Sequence, residues 1–228
     1  MSDTEYIVEV KNYSKIIDEN TVLDNINLNL EAQKIYGFYG PNGSGKTMLF
    51  RAICGLIHPS SGEVYVEGKK IGEEISFPES LGLIISNVGF WDEYSGYENL
   101  EIIADIKKIA SREDIKEAMR RVGLDPESKK LYGKYSLGMK QRLAIAQAIM
   151  EKPRLLILDE PTNALDFSGV EEIRELIAAE RARGATVLIS SHNQQDLEEL
   201  CDEFYRFSYG GKLEKTSSIE NTKSELRG

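Results

Sequence analysis

The sequence predicts an α/β fold with two additions, an antiparallel β subdomain ahead of the core and an α-helical subdomain inserted into it. Three observations predict this. Residues 5–11, 22–30 and 62–68 carry strand-like patterns bounded by polar residues and glycine. Residues from about 87 to 152 read as helix throughout. Beyond Pro153 short apolar runs alternate with helical stretches, the signature of a parallel sheet with crossover helices.

Each element has a local cause. The apolar run 34–39 stops at a glycine-rich loop, and Thr47–Leu56 then has helical spacing. In the helical block, Tyr97–Ala110 forms one helix. Ser111 followed by Asp114 is an N-terminal capping pattern for the next, which Gly123 ends. A third helix runs from Ser136 to Lys152 and stops before Pro153. Leu155–Leu158 is a buried strand, Gly169–Arg183 a helix ending at Gly184, Ala185–Ser191 a strand and Gln194–Phe204 a helix. The polar tail from Thr216 is expected to be loosely held. The whole, residues 1–228, is expected to be one domain.

Composition narrows the function. Hydrophobic residues make up 41% and charged residues 29%, the balance of a globular chain rather than a disordered one. The net charge of -10 disfavours a nucleic-acid partner. The opening residues MSDTEYIVEVKN have neither the basic nor the apolar segment of a secretion signal. No stretch approaches the roughly 18 apolar residues of a membrane span, so a membrane role must come through a partner. Cys54 and Cys201 lack metal-ligand spacing and read as buried reduced thiols.

The chemistry concentrates in three places. Gly40-Pro41-Asn42-Gly43-Ser44-Gly45-Lys46-Thr47 fits G-x-x-x-x-G-K-[ST] at every position, after an apolar strand and at the start of a helix. This is the P-loop pattern. Glycines let backbone N–H groups converge on phosphate oxygens, and the helix N-terminus adds partial positive charge. Lys46 would neutralise the β- and γ-phosphates and Thr47 would ligate Mg²⁺. Next, Leu155–Leu158 ends in Asp159 and Glu160. A carboxylate closing a buried strand beside a P-loop is placed to hold Mg²⁺, which is Asp159's part. Glu160 would point to the other side and polarise the attacking water. Finally, Ser190-Ser191-His192 closes the following strand, from which His192 would reach the γ-phosphate.

These residues in this order resemble the ATP-binding subunits of ABC transporters, over nearly the whole chain. Ser136-Leu137-Gly138-Met139-Lys140-Gln141-Arg142 looks like the family's signature loop, Asn163–Asp166 like its D-loop and His192 like its switch histidine. Tyr13 sits where the family stacks an aromatic ring on adenine. The resemblance implies two subunits packed head to tail, homodimer or paralogue pair. Each ATP would lie between one chain's P-loop and the Ser136–Gly138 segment of the other. It also implies separate membrane-spanning partners and a peripheral place on the cytoplasmic face of the membrane. Two departures stand out. Leu137 occupies a glycine position of the signature, as in exporters of drugs, peptide antibiotics and bacteriocins. Ser86 falls where the family's metal-contacting Q-loop glutamine belongs, with Asn87 beside it as a substitute carboxamide, so looser Mg²⁺ coordination is expected. Phe90, Trp91 and Tyr94 are expected partly in the core and partly in a groove for the membrane partner. The competing readings are a soluble ABC-type ATPase of a non-transport machine, a module that uses ATP only to dimerise, and a generic P-loop kinase or GTPase.

Overall fold

The computed structural model describes residues 6–85 and 89–219. Ser86 and Asn87, and with them the expected Q-loop position, lie outside the described residues.

The chain opens with an antiparallel sheet. β1 (Val8–Ile17) pairs with β2 (Asn20–Leu30) on one side and β4 (Ser61–Val66) on the other, and β5 (Lys69–Lys70) closes the edge. The main sheet has the order β10-β9-β3-β8-β7-β6. In it β3 (Ile35–Tyr39), β6 (Leu81–Ile84), β7 (Leu155–Asp159), β8 (Thr186–Ser190) and β9 (Glu203–Ser208) run parallel. β10 (Lys212–Thr216) is antiparallel at the edge. Alternation along the strands splits the interior in two. Leu155 and Ile157 face the antiparallel sheet together with α1 (Lys46–Ile53), while Leu156 and Leu158 face the helices on the other side.

Between β6 and β7 lie α2 (Gly96–Lys107), α3 (Arg112–Arg121) and α4 (Leu137–Ile149). Ser95 and Glu98 form a capping box on α2, and Ser111 and Asp114 form the expected one on α3. Lys152 also bonds Asp114, and together these contacts hold that carboxyl down at about 2. Helix α4 meets the sheet at Gly82, where an added Cβ would sit 2.0 Å from the Ala148 carbonyl oxygen. A backbone oxygen cannot retreat as a flexible side chain does. Gly82→Ala is therefore expected to destabilise the fold by about 2–3 kcal/mol, read from the midpoint of a urea titration at unchanged m.

Three expectations are corrected. The helix read over Gln194–Phe204 ends at Leu200 (α6, Gln194–Leu200), and Phe204 belongs to β9. Cys201 is already extended, and Glu203–Ser208 alternates faces as a strand. Thr216 in turn is not loose tail but the last residue of β10, paired with Phe204. The third correction concerns Tyr13, which is buried at 1% exposure, with its hydroxyl donating to the Ile57 carbonyl at 3.4 Å. It lines a small cavity of about 180 Å³ in the antiparallel sheet, apart from the phosphate loop, and is not placed to stack on a base beside it. The cause is a bulge in β1. Asn12 has a left-handed backbone (φ 48°) and the register shifts between Val10 and Tyr13. That irregularity turns Tyr13 to the face already occupied by Val8 and Val10.

Candidate functional site

The loop between β3 and α1 is shaped by its glycines. Gly40 (φ 142°) passes so close to β9 that a Cβ would lie 2.3 Å from the Phe207 carbonyl oxygen. Gly45 (φ 116°) serves as N-cap of α1 in a left-handed conformation that few other residues adopt. Lys46 is buried at 7% exposure and folds back to donate to the Gly40 and Pro41 carbonyls, at 2.8 and 3.1 Å. Burial lowers its ammonium pKa, while Glu160 and Asp159 oppose that shift.

Strands β7 and β8 bring the acids to this loop. Asp159 accepts from the Thr47 hydroxyl at 2.6 Å through Oδ2 and from the Ser190 hydroxyl at 2.5 Å through Oδ1. Glu160 has a left-handed backbone (φ 54°), fastened by its N–H donating to Ser190 Oγ at 3.0 Å. That turn points Glu160 away from Asp159 and toward His192, whose N–H donates to Oε2 at 3.2 Å. His192 Nε2 lies 3.1 Å from Oε1 but without hydrogen-bond alignment. Among the described residues, Glu160 Oε1 and Ser44 Oγ are thus two of the few buried side-chain atoms lacking a hydrogen-bond partner. Burial pushes the Glu160 carboxyl above its ordinary 4.5, against the lowering influence of His192 and Lys46.

Val22, the loop from Asn42 to Met48, Asp159, Glu160 and His192 line one cleft of about 370 Å³. Ser136 and Gly138 do not line it. Ser136 is exposed and caps α4, its hydroxyl accepting from Met139 N–H at 3.2 Å. Gly138 instead faces the Ala164 carbonyl, which a Cβ would approach to 3.2 Å. Sequence reasoning missed Gln141, whose Nε2 donates to the Pro161 carbonyl at 2.9 Å and so ties α4 to the segment after Glu160. Only its place one turn beyond Ser136 hinted at this. It also missed Ser190 as the residue that braces both Asp159 and Glu160.

A family model described as ABC transporter matches residues 23–163. The chain belongs to this family. As an ABC ATPase it binds and hydrolyses ATP, as an ATP-binding subunit of the transporter kind. An uncharacterized ABC transporter ATP-binding protein of Bacillus subtilis (strain 168) is 47% identical over 93% of this chain and 97% of its own. The bacitracin transport ATP-binding protein BcrA of Enterococcus faecalis is 42% identical over 87% of this chain and 65% of its own. The lantibiotic transport ATP-binding protein SrtF of Streptococcus pyogenes is 36% identical over 91% and 89%. Among solved structures, the ABC ATPase shares its fold with the dimeric cassette MJ0796 bound to ADP and Pi. That match has a TM-score of 0.80 and 24% identity, covering 93% of this chain and all of that one. No helix among the described residues is long and apolar enough to cross a membrane.

Proposed function

We propose that this ABC ATPase powers export through separate membrane-spanning subunits, working as a dimer whose two ATP sites are shared between chains. The observation that carries the reading is the division of the parts. Lys46, Thr47, Asp159, Glu160 and His192 surround one cleft, while Ser136 and Gly138 stand exposed or half-exposed outside it. A serine at a helix N-terminus is an anion site in want of an anion, and a second copy's γ-phosphate supplies one.

In this reading the amides of residues 42–46, the start of α1 and Lys46 hold the phosphates, and the unpartnered Ser44 hydroxyl donates to one of their oxygens. Thr47 and Asp159 fit Mg²⁺, since a hydroxyl and a carboxylate already converge at 2.6 Å and the remaining ligands come from phosphate and water. When bound, Mg²⁺ draws charge from the phosphates as a Lewis acid. Glu160 offers its unpartnered Oε1 to the attacking water, orienting it and taking its proton. His192 holds Glu160 through its own N–H and supports charge at the γ-phosphate.

Export rather than import is supported by Leu137 in the signature segment and by the printed roles of the bacitracin and lantibiotic relatives. Contact with a membrane subunit is supported by Trp91 and Tyr94, exposed at 46% and 44% beside the buried Phe90–Tyr132 ring pair. Such contact gives the chain its place, peripheral on the cytoplasmic face. The test is a pull-down of tagged Glu160→Gln, with ATP present, from gently solubilised native membranes. A polytopic membrane protein recovered in comparable amount is expected. Recovery of soluble proteins alone sinks the transport reading in favour of a soluble ABC-type machine.

A further inference from the structure

Away from the cleft, one carboxylate is almost completely buried. Asp196 of α6 is 1% exposed. Its Oδ1 accepts from Arg174 Nε at 3.1 Å, from Arg174 Nη2 and from Asn193 Nδ2 at 3.1 Å. Its Oδ2 accepts from the Thr162 hydroxyl at 2.9 Å and the Ser191 hydroxyl at 3.3 Å. Arg174, on α5 (Phe167–Ala182), is itself 7% exposed and also reaches Glu171 at 2.5 Å and Glu199 at 2.6 Å.

A buried ion pair is a weak reason for stability, because desolvation offsets most of the attraction. What this one holds is more telling. Ser191 and Asn193 flank His192 on both sides, and Asn193 N–H donates to Ser191 Oγ at 3.0 Å. Thr162 begins the turn over Asn163–Asp166, its carbonyl accepting from Leu165 N–H at 3.2 Å while the Glu160 carbonyl accepts from Asn163 N–H at 3.3 Å. One carboxylate therefore joins the segment following Glu160 to the segment carrying His192, across two different strand ends. It meets neither phosphate loop nor cleft.

We propose that Asp196, oriented by Arg174, is a positioning residue for ATP hydrolysis: it sets the spacing between His192 and the Asn163–Asp166 turn, and through both the aim of Glu160. This rests on the reading of Glu160 and His192 as hydrolytic groups. Because the network touches no phosphate-binding atom, it acts on kcat and not on nucleotide affinity.

The test is steady-state ATPase of the full chain, with ATP affinity measured separately by calorimetry. Thr162→Val removes one hydroxyl, keeps the branched shape and leaves the Arg174–Asp196 pair in place. It is expected to lower kcat by roughly 3- to 10-fold, the effect of one hydrogen bond, with KM and ATP affinity unchanged and the melting temperature lowered by no more than a few degrees. Thr162→Ser restores turnover, and Asp196→Asn falls below Thr162→Val. Wild-type kcat in Thr162→Val overturns the proposal, as does a loss that appears in KM instead of kcat. If Asp196→Asn does not fold, Thr162→Val decides. Glu160→Gln run alongside separates the two ideas. Full turnover there overturns the assignment of the hydrolytic groups, whereas a dead Glu160→Gln beside a fully active Thr162→Val overturns the network alone.

Discussion

Glu160→Gln should lower kcat by about 10²- to 10⁴-fold, the usual cost of losing a general base, while ATP affinity stays within twofold. The carboxamide keeps the size of the side chain and can still accept from His192 N–H. What it loses is the ability to take a proton at Oε1, the oxygen without a hydrogen-bond partner. In the proposed dimer, ATP held but not cleaved would keep the shared sites closed, so the variant should elute as a dimer on size exclusion with ATP and as a monomer without it. A pH profile gives a second check. Burial raises the Glu160 carboxyl of the free chain above 4.5, so the acid limb of kcat/KM lies above that value and hydrolysis gains as pH rises through it. Folding responds in the opposite sense. A carboxyl whose pKa is higher folded than unfolded contributes its stability at low pH and loses it as pH rises. The same burial that tunes Glu160 for catalysis thus costs the fold near neutrality, and Glu160→Gln should remove both dependences together.

Lys46→Met is expected to weaken ATP binding by roughly 30- to 700-fold, equivalent to about 2–4 kcal/mol for a truncated buried charge contact. Equilibrium calorimetry reads it directly. The unliganded melting temperature should barely move. Lys46 forgoes water at 7% exposure, and its two bonds to the Gly40 and Pro41 carbonyls do little more than offset that desolvation. A large fall in unliganded stability would show instead that the ammonium is a structural plug of the loop, and ATP would then have to break a contact the fold requires.

The sequence disclosed the site because its parts are local. A P-loop, a strand ending in two acids and a capping box each occupy a few consecutive residues, and Gly40–Thr47, Asp159-Glu160 and Ser111–Asp114 all carry their chemistry in order. What escaped depends on pairing partners far along the chain. A tyrosine near a strand end reads alike whether its ring faces in or out. Only the bulge at Asn12 decides, and β4 leaves room for it at Gly62, where a Cβ would lie 2.2 Å from the Asn12 carbonyl oxygen. β9 escaped because its first residues continue the spacing of α6. Only the parallel pairing of Tyr36–Tyr39 with Glu203–Arg206 makes that segment extended. Ser190 and Asp196 lay beyond reach for the same reason, since their roles consist of contacts between strand ends brought together by the sheet.

The cap on α4 has a consequence for how this surface can change. Ser136 Oγ accepts from Met139 N–H, which occupies lone-pair density and leaves the hydroxyl proton free to turn outward. One atom therefore starts a helix in its own chain and, in the proposed dimer, would present a donor to its neighbour. Asparagine would satisfy the helix but offer an amide of different reach. Aspartate would satisfy it with the wrong charge, and alanine would do neither. Threonine alone keeps both properties, at the expense of a methyl group set against the other subunit. In the proposed dimer, folding and assembly would thus draw on a single oxygen, which only threonine could replace in both roles.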